Sequence, residues 1–171
     1  MTRSPKGSLI QILAIENRWV RLAEVCNHII GKIDQRGAAS LTPVERTIDR
    51  VNDFEYRMIQ GGLTGFLYSD WLDWKAIAEV VAALAVVGAS EASRLLRETL
   101  VIVAGAVERQ PGLRARHDLS WGALVALVDP THQIERIEGE MAPYVDGINQ
   151  HLLRYVESHQ IDLLRADEAT A

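Results

Sequence analysis

The chain has 171 residues, 48% hydrophobic and 24% charged, with 18 Lys+Arg against 23 Asp+Glu for a net charge of −5. Such a length suits one domain that buries about 70% of its extended-chain surface, and the balance of apolar and charged residues excludes disorder over its bulk. Cys26 is the single cysteine, so a disulfide framework is excluded.

The N-terminus carries Arg3 and Lys6 ahead of a seven-residue apolar stretch, Leu9–Ile15, which holds Gln11 and runs into Glu16, Asn17 and Arg18. It lacks the uninterrupted apolar region and small-residue cleavage site of a signal peptide. The runs Val80–Ala89 and Leu100–Val107 fall far short of the ~20 residues that span a bilayer. The expectation is a soluble, cytoplasmic protein.

The first periodic row is Leu9, Ile12, Leu13, Trp19, Val20, Leu22, Ala23, Cys26, Ile29, Ile30 and Ile33. Steps of three and four predict one amphipathic helix, with Ser8 as its cap, ended by Gln35-Arg36-Gly37. Leu41-Thr42-Pro43-Val44-Glu45 opens a second helix: Thr42 caps, Pro43 takes the first position and Glu45 closes a capping box. Val44, Ile48, Val51, Phe54 and Met58 continue it until Gly61-Gly62, which end it and let the chain turn. Leu63–Tyr68 reads as a short helix or turn. Asp70 or Asp73 caps the next helix, which runs to Val87 with Gly88 as a left-handed terminator.

Ser90 and Glu91 open a helix through Val107, and Asp118–Val128 forms a shorter one. Asp129-Pro130 begins a long final helix with apolar positions Ile134, Ile137, Met141, Val145, Ile148 and Leu152. Its phase holds across Pro143, which predicts a kink rather than a break. Periodicity alone does not separate Val80–Val87 and Leu100–Val107 from buried strands; their flanking caps favour helices. The fold expected is all-α: a single helical domain over residues 1–171, about six to seven helices, with 1–7 and 166–171 frayed.

Two stretches carry a resemblance. One is Leu41–Arg46 followed by the acidic-apolar helix Val51–Gln60, Gly61-Gly62, and the short segment with Phe66 and Tyr68, leading to Val86-Val87-Gly88-Ala89. The other is the close, Tyr155-Val156-Glu157-Ser158-His159. Over about residues 12–160 the chain resembles the all-helical bacterial DNA-mimic protein family, in which a Glu-bearing helix runs into Asn-Asn-Gly-Gly-Phe and the end reads Tyr-Ile-x-x-His. Here the first motif is Ile59-Gln60-Gly61-Gly62-Leu63: the glycine pair is kept, and both asparagines and the adjacent aromatic are replaced. The resemblance implies a non-enzymatic, acidic and dimeric protein that binds the DNA-contacting face of a transcriptional regulator or another nucleic-acid-binding protein.

Catalytic and metal constellations are missing from the sequence. Cys26 and His28 lie about 200° apart on a helix, and no His-Glu-x-x-His, Cys-x-x-Cys, nucleophile elbow or phosphate loop occurs. No metal, cofactor or catalytic residue is therefore expected, and no basic stripe points to direct nucleic-acid binding.

Charge is segregated along the chain. Residues 1–36 sum to +3, 37–93 to −4, 94–116 to +3 and 117–171 to −7. Glu45, Asp49 and Asp53 form an i, i+4, i+8 row, and Glu135, Glu138, Glu140, Asp146 and Glu157 decorate the last helix. Glu45, Asp49, Asp53, Glu135, Glu138 and Asp146 are candidate contacts to a basic partner, by the long-range field of such a stripe. Arg46, Arg50 and Arg57 interleave the first row, so a solvated helical surface is the competing reading. The aromatic group Phe66, Tyr68, Trp71 and Trp74 is either core or an interaction patch. In the second case the chain is an accessory or immunity-type partner that docks through Trp71 and Trp74 without mimicking DNA.

Overall fold

The computed structural model describes residues 8–69, 73–115 and 120–168. Among them are eight α-helices and no strand: α1 (Leu9–Leu13), α2 (Arg18–Arg36), α3 (Pro43–Ser69), α4 (Trp74–Val86), α5 (Ser90–Arg109), α6 (Trp121–Val128), α7 (Gln133–Ser158) and α8 (Gln160–Glu168). The all-α expectation holds, and both Val-rich runs are helical, inside α4 and α5. α3 packs on α7 and α4, α5 packs on α4 and α7, and α1 lies against α2 and α8. One apolar cluster runs through all of them, with Phe54 and Phe66 meeting edge to face at 4.9 Å.

The first expected helix is two. Ser8 and Gln11 form a capping box on α1, but the chain breaks at Ala14. Asn17 then caps α2 by accepting from the backbone N–H groups of Trp19 and Val20 at 3.1 and 3.2 Å. The interruption shifts the phase of α2 relative to α1, so Trp19 and Val20 are half exposed instead of joining the apolar row, while Leu22, Val25 and Ile29 are buried.

The second start is as the sequence indicates. Thr42 N–H donates to Glu45 Oε2 at 2.8 Å, and Glu45 N–H donates to Thr42 Oγ1 at 3.3 Å. Only one glycine of the pair makes the turn: Gly62 has φ +64°, while Gly61 does not enter the left-handed region. The short helix expected over Leu63–Tyr68 forms the last turns of α3 beyond that bend. Asp73 caps α4 through Lys75 N–H at 3.0 Å, and Gly88 has the expected positive φ of +84°. Asp70, the other candidate cap, lies outside the described residues.

α7 passes through Pro143 with its buried row, Ile137, Met141, Val145 and Ile148, uninterrupted. Its end is closed by His159, whose Nδ1 sits 2.9 Å from the Tyr155 carbonyl and whose ring lies on the Tyr155 ring at 4.1 Å. α8 continues to Glu168; residues 1–7 and 169–171, which belong to the ends expected to fray, lie outside the described residues.

Candidate functional site

The row Glu45, Asp49, Asp53 is not the exposed track its spacing implies. Glu45 is 1% exposed and accepts two hydrogen bonds from Lys32 Nζ, at 2.9 and 3.0 Å, in a buried ion pair that ties α2 to α3. Asp53 pairs with Arg57 at 2.9 Å. Asp49 is half-buried, and burial pushes its carboxyl above the usual range, with the charge of neighbouring Arg50 opposing. An i, i+4, i+8 spacing places three residues on one face without saying what covers that face; here the N-terminal part lies under α2.

The last third of the chain divides in two. Glu157 is neutralised by Arg18 at 2.8 Å and Arg21 at 2.7 Å, and Glu140 is paired with Arg136. Glu135, Glu138 and Asp146 behave differently. On α7 their steps of three and eight put them within an arc of about 80°, over about 16 Å of helix axis. The same stripe includes Asn149, whose amide donates to Glu55 of α3 at 2.7 Å. Burial raises the Glu55 carboxyl, the Asn149 bond opposes that, and the charge of Asp146 raises it further. Four carboxylates thus line the seam between α3 and α7.

None of the four forms an ion pair with a lysine or arginine among the described residues. Glu135, its side chain 81% exposed, reaches only the His132 ring at 3.4 Å. Glu138 accepts from the Thr64 N–H at 3.2 Å, so it caps the helical turns beyond Gly62. Asp146 is exposed. Glu55 is the member that charge spacing along the sequence misses, because its partner Asn149 is 94 residues away and only the antiparallel register of α3 on α7 joins them.

At the head of α7, buried Asp129 accepts from Ile134 N–H and from Thr131 Oγ1 at 3.1 Å. Burial pushes Asp129 up, but the backbone bonds from Ile134 and Gln133 outweigh it and hold the carboxyl below its ordinary value. Asp129 therefore anchors the helix start without contributing a free charge.

Of the aromatic candidates, Phe66 is core, while Tyr68 and Trp74 are 47% and 39% exposed. Trp71 lies outside the described residues. No cluster of three or more His, Cys, Asp or Glu is placed to hold a metal among the described residues, and none of their helices is long and apolar enough to cross a membrane. Cys26 is buried, and burial, with the charges of Asp49 and Glu55, pushes its thiol up to about 12.

No curated protein and no solved structure gives a significant match to the chain. A family model described as DMP19-like protein matches residues 39–159, which is most of the sequence and spans the α3–α7 seam from end to end.

Proposed function

The chain belongs to the DMP19-like family of DNA-mimic proteins, and from that premise we propose that it is a non-enzymatic interaction module whose partner is a nucleic-acid-binding protein. The observation that supports this reading is the seam of Glu55, Glu135, Glu138 and Asp146, four carboxylates without a Lys or Arg partner among the described residues, the three on α7 spread over about 16 Å of its axis. A DNA-contacting surface is built to neutralise phosphates with lysine and arginine, and a row of unpaired carboxylates offers it the same sign of charge. Glu45 ties α2 to α3 and Asp53 is paired within α3, so with the half-buried Asp49 they make no phosphate-like row of their own.

In this reading the protein acts in the cytoplasm as one helical domain, as a homodimer. Affinity capture from native lysate, eluted in steps of rising salt, tests the reading. A nucleic-acid-binding protein released as salt rises, and lost from Glu135→Gln/Asp146→Asn, is the expected result; retention of every captured protein through high salt contradicts it.

A second reading has one observation in its favour, the exposure of Tyr68 and Trp74. In it the chain is a helical accessory subunit that docks through these aromatics together with Trp71. Trp74→Ala then breaks assembly while the carboxylate substitutions leave it intact.

A further inference from the structure

The seam ends in a cleft. Between α6, the 129–135 turn and the last turns of α3 lies a space of about 620 Å³, walled by Gly122, Val125, Ala126, Pro130 and Ile134. Glu135 and Glu138 stand at its edge, so two of the four seam carboxylates also border the cleft. Asp129 lies in its wall, satisfied by the α7 backbone. Among the described residues no lysine or arginine lines it.

A row of carboxylates accounts for attraction to a basic partner and leaves the apolar cleft beside it without a role. We propose that the cleft is the specificity pocket of the partner interface: it takes an apolar anchor residue from an amphipathic, arginine-bearing helix of the protein partner, while that helix's arginines lie along Glu135, Glu138, Asp146 and Glu55. The inference rests on the acidic-seam reading above. Charge complementarity chooses this occupant, because an acidic or neutral helix meets uncompensated carboxylates along its whole approach. Geometry supports it too, since the apolar walls adjoin the carboxylates, as they must for one helix to reach both. The seam then supplies attraction and register, and the cleft supplies discrimination among basic partners.

The probe is a synthetic helical peptide of about 15 residues with arginines at every fourth position and one leucine anchor, beside an otherwise identical peptide with alanine for leucine. Binding is followed by amide shifts in 15N-labelled full-length protein. The leucine peptide is expected to move Thr64, Gly122, Val125 and Ile134 as well as Glu55 and Asp146. The alanine peptide is expected to move the seam alone and bind about tenfold more weakly, the worth of a buried leucine. Gly122→Trp fills the cleft at a position where an added Cβ meets nothing, and it is expected to abolish the preference for leucine while leaving alanine-peptide binding unchanged. Ala126→Trp, at an exposed position of α6, repeats the test should the first variant lose helicity. If folded variants keep the full preference, or if the leucine peptide moves only seam amides, the pocket inference is overturned and the acidic-seam reading stands. Shifts in neither region with either peptide contradict both.

Discussion

Glu138 occupies the space that a side chain at Gly62 would need: a Cβ built there lies 2.9 Å from the Glu138 carboxylate carbon. The backbone at Gly62 has φ +64°, and the Thr64 N–H two residues on donates to the same carboxylate. One residue of α7 therefore holds the bend of α3, and the glycine pair and the acidic seam are parts of one contact.

Gly62→Ala pays for both the left-handed backbone and the displaced carboxylate. We expect it to cost about 2 kcal/mol in urea unfolding. Gly61→Ala, with open space around its Cβ and an ordinary backbone, is expected to be neutral or to stabilise by about 0.5–1 kcal/mol. Equal effects at both positions would remove the special role assigned to Gly62.

The buried pair of Lys32 and Glu45 gives a second test. Lys32→Met strands a carboxylate that is fully enclosed, and we expect a loss of about 3–5 kcal/mol. Lys32→Met/Glu45→Gln should recover a large part of it, since no charge is then left buried and glutamine still serves the Thr42 capping box. A double variant less stable than Lys32→Met by the full cost of Glu45→Gln alone would show that the two residues are not coupled.

The pH dependence of stability has two opposed parts. Asp129 and Glu157 are held below their ordinary values, Asp129 by backbone bonds that overcome burial and Glu157 chiefly by its bond to Arg18. Their stabilisation is complete above the unfolded-state values and is lost as pH falls through the folded ones. Glu55 and Asp49 are raised, chiefly by burial. They cost stability while ionised and return it as pH falls through their raised values. Thermal melting should therefore show a maximum below neutral pH, on the mildly acid side, and a decline in stronger acid. A stability that falls steadily from pH 7 downward would contradict the placement of Glu55 and Asp49.

Cys26 should resist Ellman's reagent in the folded protein, since burial pushes its thiol up to about 12, and react at once in denaturant. Fast labelling of the native state would contradict its burial.

Local chemistry made much of this fold readable in the sequence. Thr42-Pro43 with Glu45, Asp73, Gly62 and Gly88 each meet a requirement set within a few residues, and each does what its position demands. The break before α2 was not legible in this way, because Ile12, Ile15, Trp19 and Leu22 keep helical steps of three and four across it. Pairing across helices is a different matter, because it depends on the packing register. Nothing near Glu45 announces Lys32, thirteen residues back on another helix, and nothing near Asp146 announces Glu55. Each acidic row therefore looks equally available, and packing buries or pairs one while it leaves the other open.

If the open row is the surface that a basic partner reads, its carboxylates must set both the affinity and its response to salt. The most direct test is titration of the captured nucleic-acid-binding protein against the wild-type chain and Glu135→Gln/Asp146→Asn, at several salt concentrations. We predict affinity that falls steadily as salt rises, a variant bound about tenfold more weakly at low salt, and a shallower salt dependence for the variant. Equal affinity of the two proteins at every salt concentration would contradict the account.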